Sequence, residues 1–248
     1  RVEQIKVPKT ILTVTGKGKK KPPSKRQWRK VLGKIVKSGN DYYRDESLNW
    51  SMPFRVGPRT STLGGLPQDE ERFPIALWVR DLLREGIQIL ALNSIAMQQP
   101  CSPRLARTFK VDGSNLPLVV QDLQKNTQAF QEWVERIQTV LPDLETILVE
   151  ERPEDKHLYL AIKYHSESGT VPSWQLDHGI LPMLALTLLA YMDMPRGGIY
   201  LIQEPENDIH PKAIEAVFTA LASVCDRQIF LRTRSSLFLD LAKRQQKL

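Results

Sequence analysis

Cysteine is scarce in this sequence, whose 248 residues include only Cys101 and Cys225, far apart along the chain. Their number and spacing exclude a disulfide framework and a zinc cluster and favour a reducing compartment, so we expect a cytoplasmic protein. Histidine is also rare, and the four histidines have no metal-ligand spacing. The sequence lacks an apolar run of about eighteen residues, the length that crosses a bilayer. We therefore expect no membrane-spanning segment.

The start of the chain has neither the pattern of a signal peptide nor an initiator methionine. Because the first residue is Arg1, we expect a processed or truncated product. The length is sufficient for one large domain or two small ones with a substantial core. The apolar content of 41% is ordinary for a soluble globular protein.

Positive charge is concentrated in one segment, residues 17–37, which holds ten Lys or Arg residues and no acid. The rest of the chain keeps 25 of the 35 basic residues against 28 acidic ones, so the body is slightly acidic. The first half of the segment is typical of a solvated loop. The second half predicts an amphipathic helix, because its apolar residues recur at helical spacing: Trp28, Val31, Leu32, Ile35 and Val36.

The function of this basic segment remains open. One interpretation is a phosphate-contacting patch for DNA or RNA. Its binding residues would be Lys19, Lys20, Lys21, Lys25, Arg26, Arg29 and Lys30. The alternatives are a solvated face, a site for an acidic partner protein, or attachment to a membrane surface, which liposome co-sedimentation would test.

The middle of the chain alternates predicted helices and strands. In order, we expect a strand in 5–14, a loop-rich stretch over 40–68, a helix over 73–85, a strand over 87–92, helices within 111–123 and 130–141, and a hairpin from 145–151 and 157–165. Ser114 or Asn115 is the expected cap of the first of the last two helices.

The last eighty residues predict a parallel sheet. A strongly apolar helix within 171–192 precedes an apolar strand that ends at Gln203, and a helix, a strand and another helix follow. This order implies right-handed parallel crossovers on an open sheet. Ligands bind such sheets at the carboxyl ends of the strands. Gln203, Glu204 and Asp208 are therefore expected at the ligand-binding edge.

Three motifs in this region resemble those of the ABC-class ATPase heads in the RecF/SMC-related, OLD-like AAA-type predicted ATPases of bacterial genome maintenance and anti-phage defence. "QLDHG", at 175–179, is similar to their signature loop, Leu-Ser-x-Gly. "LIQEPENDIHP", at 201–211, resembles a Walker B strand followed by Pro-Glu-Asn and His-Pro. "LRTRSS", at 231–236, resembles the strand that carries their switch histidine. The resemblance covers roughly residues 60–245.

The resemblance implies an α/β fold, a P-loop-NTPase-like sheet with flanking helices, an antiparallel β element and a helical insertion. It divides the chain into a basic segment with a strand and the amphipathic helix (1–60), a helical middle region ending in the hairpin (61–170) and the second half of the ATPase core (171–248). It implies ATP and Mg²⁺ as cofactors. It also implies a homo-oligomer with a nuclease, another effector subunit or a nucleic acid as partner.

The resemblance further assigns site residues. Glu204 is the catalytic acid that polarises the attacking water. Gln203 takes the position of the acid that holds magnesium through water. The nucleotide-binding residues are Asp177, His178, Gly179, Gln203, Asn207, His210 and Arg234.

This sequence departs from the family pattern at four points. It contains no phosphate-binding loop of the form G-x-x-x-x-G-K-S/T, so that loop either lies upstream of Arg1 or is absent. Gln203 is neutral, Asp177 would repel a γ-phosphate at the signature serine position, and Arg234 replaces the switch histidine and does not titrate. Two functions stay open. One is an ATPase head that dimerises around ATP and couples hydrolysis to a nuclease or DNA partner; the other is a degenerate ATPase-fold scaffold or sensor that binds a partner protein or nucleic acid without turnover.

Structural roles are alternatives for the same residues. Glu204 and Glu206 would be solvated loop acids, or Arg234 would pair with one of them. Asp177 and His178 would cap a helix. Asn207 would cap the next helix or hold a turn.

Overall fold

A computed structural model describes residues 2–8, 28–35, 42–47, 50–54, 59–192, 198–224 and 227–245. The chain divides into two compact units, Arg1–Glu85 and Gly86–Leu248. The predicted three-part division is a different grouping and stays a prediction.

Among its described residues, the first unit contains an antiparallel sheet and one helix. Its strands, in sheet order, are β1 (Val2–Pro8), β2 (Trp28–Ile35), β3 (Tyr42–Arg44) and β4 (Ser51–Pro53), and its helix is α1 (Pro74–Glu85). Of the strand predicted in 5–14, residues 5–8 belong to β1 and residues 9–14 lie outside the described residues; the helix predicted over 73–85 is confirmed. The stretch predicted as loop-rich contains β3 and β4.

The amphipathic helix predicted after Trp28 is wrong, because these residues form β2. This strand pairs with β1 on one side and β3 on the other. Val31 and Leu32 are adjacent, and both are fully buried, which fits a strand covered on both faces. Gly33 lies between them and Ile35, and a glycine inside a helix costs about 1 kcal/mol relative to alanine. Non-local strand pairing therefore outweighs the helical spacing of the apolar residues.

The second unit holds the remaining strands and α-helices of the described chain. These are β5 (Ile87–Leu90), α2 (Ser94–Gln98), α3 (Leu116–Leu123), α4 (Thr127–Gln138), β6 (Leu144–Glu151), β7 (Leu158–Tyr164), β8 (Thr170–Pro172), α5 (Ile180–Leu188), β9 (Ile199–Gln203), α6 (Pro211–Ala222), β10 (Gln228–Arg232) and α7 (Ser236–Gln245). The predicted helices of the middle region and the hairpin of β6 and β7 are confirmed.

A parallel three-stranded sheet, in the order β10-β9-β5, lies at the centre of the site described below. Leu90 of β5 pairs with Ile202 of β9, and Arg232 of β10 pairs with Gln203 of β9. The three strands therefore end at one edge, as predicted. The connections that leave this edge are short enough to bring their side chains together.

Helix α5 is the buried centre of the second unit. Every residue from Leu181 to Leu188 is buried, as its apolar surface predicts. Its one polar side chain in that run, Thr187, accepts a hydrogen bond from Trp133 Nε1 of α4 at 3.1 Å. Because α5 is fixed by packing on all sides, the short segment that precedes it is held in place at the sheet edge.

Candidate functional site

The loop that follows β9, residues 204–210, crosses the carboxyl edge of the parallel sheet. Two of its residues, Glu204 (φ 45°) and Asp208 (φ 61°), adopt the left-handed backbone conformation, which is uncommon for residues other than glycine. Such conformations persist where the surroundings hold them, and they cluster at functional sites. The contacts below show what holds this loop.

Glu204 connects the ends of β9 and β10. Its backbone N–H donates to the Arg232 carbonyl at 2.6 Å. Its carboxylate Oε1 lies 3.2 Å from Arg234 Nε, and its Oε2 accepts a hydrogen bond from Asn207 Nδ2 at 3.1 Å. The Arg234 side chain is 78% exposed, against 24% for Glu204. The predicted ion pair between Arg234 and one of the two glutamates is thus confirmed, with Glu204.

Asn207 and His210 shape the return of the loop into α6. The Asn207 N–H donates to the Glu204 carbonyl at 3.0 Å, so Asn207 holds the turn, as one alternative predicts. The cap of α6 is His210, whose Nδ1 accepts from the Lys212 N–H at 3.2 Å. Pro211 follows as the first helical residue, a position that tolerates its missing N–H.

Glu206 binds the connection between β10 and α7. Its Oε1 accepts from Thr233 Oγ1 at 2.8 Å, from the Arg234 N–H at 2.7 Å and from the Ser235 N–H at 3.0 Å. Burial raises the pKa of the Glu206 carboxyl, but the hydrogen bonds from backbone N–H groups and the Thr233 hydroxyl outweigh burial and hold the pKa below its usual value. Glu206 is therefore not a solvated loop acid.

Asp208 connects the end of β5 to the same loop. Its Oδ2 accepts a hydrogen bond from Ser94 Oγ. Ser94 is buried at the start of α2, directly after Asn93, whose Oδ1 accepts from the Ala96 N–H at 3.0 Å. The 204–210 loop is thereby fastened to both neighbouring strands, β5 and β10.

Gly179 brings the segment before α5 against this loop. A Cβ at this position would lie 2.2 Å from the Asp208 carbonyl oxygen, so only glycine fits. Its φ of −81° is open to any residue, so the requirement is for space. Gly179 is also the cap of α5, whereas Asp177 and His178 are exposed. The interpretation of Asp177 and His178 as the helix cap is therefore wrong.

A comparison with protein families decides what kind of protein carries this edge. The family described as "AAA domain, putative AbiEii toxin, Type IV TA system" matches residues 33–240, most of the chain. The chain belongs to this AAA family. The predicted relation to AAA-type ATPases is thus confirmed; the family implies a P-loop-NTPase-like α/β fold and suggests an ATPase-type function. No curated protein matches the chain.

The family match includes the whole sheet edge but only part of the basic segment. Lys19, Lys20, Lys21, Lys25 and Arg26 lie outside both the matched range and the described residues. Arg29 and Lys30 lie in β2 of the first unit, and Lys30 Nζ is 5.8 Å from the centroid of the Tyr42 ring. The nucleic-acid assignment of all seven residues stays a prediction.

The side chains at this edge include oxygen donors of the kind that a magnesium ion bound with ATP would use. Gln203 ends β9 with an exposed side chain, next to Glu204. Amide and carboxylate oxygens are suitable magnesium donors, and Mg²⁺ usually takes only one or two carboxylates beside waters and phosphates. Among the described residues no group of three or more His, Cys, Asp or Glu side chains is arranged to hold a metal. Gln203 and Glu204 thus offer oxygen atoms of the kind that Mg²⁺ takes, and its other ligands would be water and phosphate.

Within the residues that the structure describes, no helix combines the length and the apolar character needed to cross a bilayer.

Three residues that contact the acids of the 204–210 loop were not predicted as site residues from the sequence. Ser94, Thr233 and Ser235 all follow strands of the parallel sheet, and each now has a defined contact to an acid of the 204–210 loop. Asn93 and Ser94 come soon after the predicted strand 87–92. Their position at the end of a parallel strand was the signal that could have placed them at this edge.

Proposed function

We propose that this chain supplies the Walker B side of an ABC/RecF-type ATPase head that binds ATP with magnesium and hydrolyses it slowly. The observation that supports this most is the Glu204 carboxylate, held at the end of the central parallel strand by Arg234 and Asn207. In open α/β sheets this edge is where ligands bind. Phosphoryl transfer depends mainly on positioning and on neutralising charge, which suits a rigid, hydrogen-bonded edge.

Each residue has a distinct role in this proposal. Glu204 orients the attacking water and accepts its proton. Gln203 would hold a bound magnesium ion through its water shell, and that ion would neutralise phosphate charge. Asn207 keeps the Glu204 carboxylate in one orientation. Arg234 would contact a phosphate of the bound nucleotide through its exposed guanidinium.

Slow hydrolysis follows from two features of the edge. Gln203 carries no charge, so it attracts a magnesium ion less than an aspartate would. Both oxygens of the Glu204 carboxylate already have partners, Arg234 and Asn207. A water molecule must compete with one of them before it can reach the carboxylate.

The phosphate loop would come from outside these 248 residues, because the sequence contains no G-x-x-x-x-G-K-S/T motif. We further propose that the head dimerises around ATP, with Asp177, His178 and Gly179 of one copy facing the nucleotide of the other. These residues precede the amino end of α5, where backbone N–H groups favour an anion. A nuclease, another effector or DNA would then be the coupled partner, in anti-phage defence or genome maintenance.

The test is a calorimetric titration with Mg-ATP and a turnover assay on the protein that carries the phosphate loop. We expect magnesium-dependent binding and turnover well below the roughly 10 per second of a typical enzyme. Gln203→Asp should raise turnover or ATP affinity. The 248-residue chain alone should give no binding heat. Turnover at the typical rate would contradict slow hydrolysis.

A scaffold or sensor without turnover is the second candidate. The same pair of observations favours it: Gln203 in place of an acid, and Glu204 engaged by Arg234. In that case the phosphate-loop-containing protein binds ATP, and neither the wild type nor Gln203→Asp hydrolyses it.

A further inference from the structure

The Glu206 carboxylate gathers three donors from a loop far away in sequence. Residues 233–235 connect β10 to α7, and each of them gives one hydrogen bond to Glu206 Oε1, at 2.7 to 3.0 Å. Two of these donors are backbone N–H groups. Glu206 therefore holds the main chain of this connection in place, and not only the Thr233 side chain.

The end of the 233–235 connection that enters α7 is held by hydrogen bonds from the first turn of that helix. Ser235 Oγ accepts from the Phe238 N–H at 3.4 Å, and the Ser235 carbonyl accepts from the Leu239 N–H at 3.2 Å. Phe238 itself is buried in the core. Arg234 thus lies between two anchored neighbours, with its N–H bound to Glu206 and its exposed side chain directed to Glu204.

We propose that Glu206 is a positioning residue, which holds the 233–235 connection so that the Arg234 guanidinium meets Glu204. This inference rests on the proposed function, in which Glu204 is the catalytic carboxylate. Arg234 has a long, exposed side chain, and an ion pair between such side chains is weak by itself. Fixing the Arg234 main chain limits where the guanidinium can reach and favours this one contact.

Only one of the two carboxylate oxygens of Glu206 makes these contacts. Oε2 is buried and has no hydrogen-bond partner among the described residues. A buried polar atom without a partner is unfavourable. The position nevertheless holds a carboxylate, and its Oε1 does all the binding. The amide variant Glu206→Gln keeps one acceptor oxygen, so it separates the geometry of the contact from its charge.

The first experiment measures hydrogen–deuterium exchange of the 248-residue chain without nucleotide. Glu206→Ala should accelerate exchange of the Arg234 and Ser235 amides by roughly tenfold or more, because both lose a charged acceptor. Glu206→Gln should accelerate it less. The matched control is Glu215→Ala, an exposed glutamate on α6, which should leave both amides unchanged. Unchanged exchange in Glu206→Ala would overturn the proposal.

The second experiment follows the Arg234 Nε–H signal by NMR, assigned from its loss in Arg234→Lys. Glu206→Ala should shift this signal to the position it takes in Glu204→Ala, and Glu206→Gln should restore it in part. A signal that stays at its wild-type position in Glu206→Ala would overturn the positioning role even if exchange accelerates. Neither experiment needs ATP.

The third experiment links the residue to turnover in the phosphate-loop-containing protein. Glu206→Ala should change kcat in the same direction as Arg234→Ala, with KM nearly unchanged, and the double variant should match the single ones because both act through one contact. Additive effects would contradict the proposal. If the wild type hydrolyses no ATP, the proposed function fails, and the exchange and NMR results still decide whether Glu206 positions Arg234.

Discussion

Arg234 Nε lies 3.2 Å from Glu204 Oε1. This ion pair joins two residues that follow neighbouring parallel strands, β10 and β9. The pair brings the residue at the switch position of the family pattern into contact with the proposed catalytic carboxylate. Arg234 is therefore in a position to restrain Glu204. The predictions below follow from this contact and from the loop that carries it.

Removing the guanidinium should release Glu204. We expect Arg234→Ala to raise ATP turnover in the phosphate-loop-containing protein, by no more than about fivefold, the factor that corresponds to an exposed ion pair of up to about 1 kcal/mol. Stability in urea denaturation should change by less than about 1 kcal/mol. Arg244→Ala, at the exposed end of α7, is the control and should change neither. A fall in turnover would show that Arg234 assists the reaction instead.

Gly179 should tolerate no side chain. The Cβ in Gly179→Ala would meet the Asp208 carbonyl oxygen at 2.2 Å, so the two segments must move apart. We expect a loss of about 1–3 kcal/mol in the free energy of unfolding, the usual cost of overpacking. Gly169→Ala is the control, because nothing lies within 4 Å of its added Cβ. Equal stability of the two variants would mean that the contact between these segments is absent in solution.

Acid should weaken the Glu206 contact. The folded-state pKa of Glu206 is lowered from 4.5, so the folded state binds fewer protons than the unfolded state as pH falls past that value. Its stabilisation is therefore present above about pH 4.5 and is lost as pH falls through the folded-state pKa. In urea denaturation, the stability difference between wild type and Glu206→Gln should shrink between about pH 6 and pH 3. A constant difference would count against the contact.

The basic segment should bind nucleic acid through phosphates. Reversing the charge of Lys19, Lys20, Lys21, Lys25 and Arg26 should weaken duplex DNA binding to the same extent for all sequences, because phosphate contacts carry no sequence information. Wild-type log K should fall with log salt by roughly 0.9 per contact. Gel shifts at low and moderate salt measure both effects, with reversal of Lys243 and Arg244 as the control. Equal, weak binding by wild type and the reversed variant would exclude this role.

The sequence predicted the parallel sheet and its edge because these depend on local patterns. Apolar strands that alternate with helices imply parallel pairing, and parallel strands end together. Gln203, Glu204 and Asp208 could thus be assigned to this edge from the pattern, whereas Asn207 and Arg234 were assigned to the site only through the family resemblance. The burial of α5 followed in the same way from its uniformly apolar surface.

The sequence could not predict features that depend on distant partners. β2 has the apolar spacing of a helix, and only pairing with β1 and β3 makes it a strand. Glu206 and Ser94 look like ordinary polar loop residues, since their partners lie 27 or more positions away along the chain. Local periodicity contains no information about such contacts.

The most direct test of the account compares ATP hydrolysis by the wild type and Glu204→Gln in the phosphate-loop-containing protein, with ATP binding measured in parallel. Glu215→Gln, on the exposed face of α6, is the control. If Glu204 is the general base, the variant should lose at least about 100-fold in turnover and still bind ATP. Hydrolysis by Glu204→Gln at the wild-type rate would contradict the central claim that this carboxylate performs the chemistry.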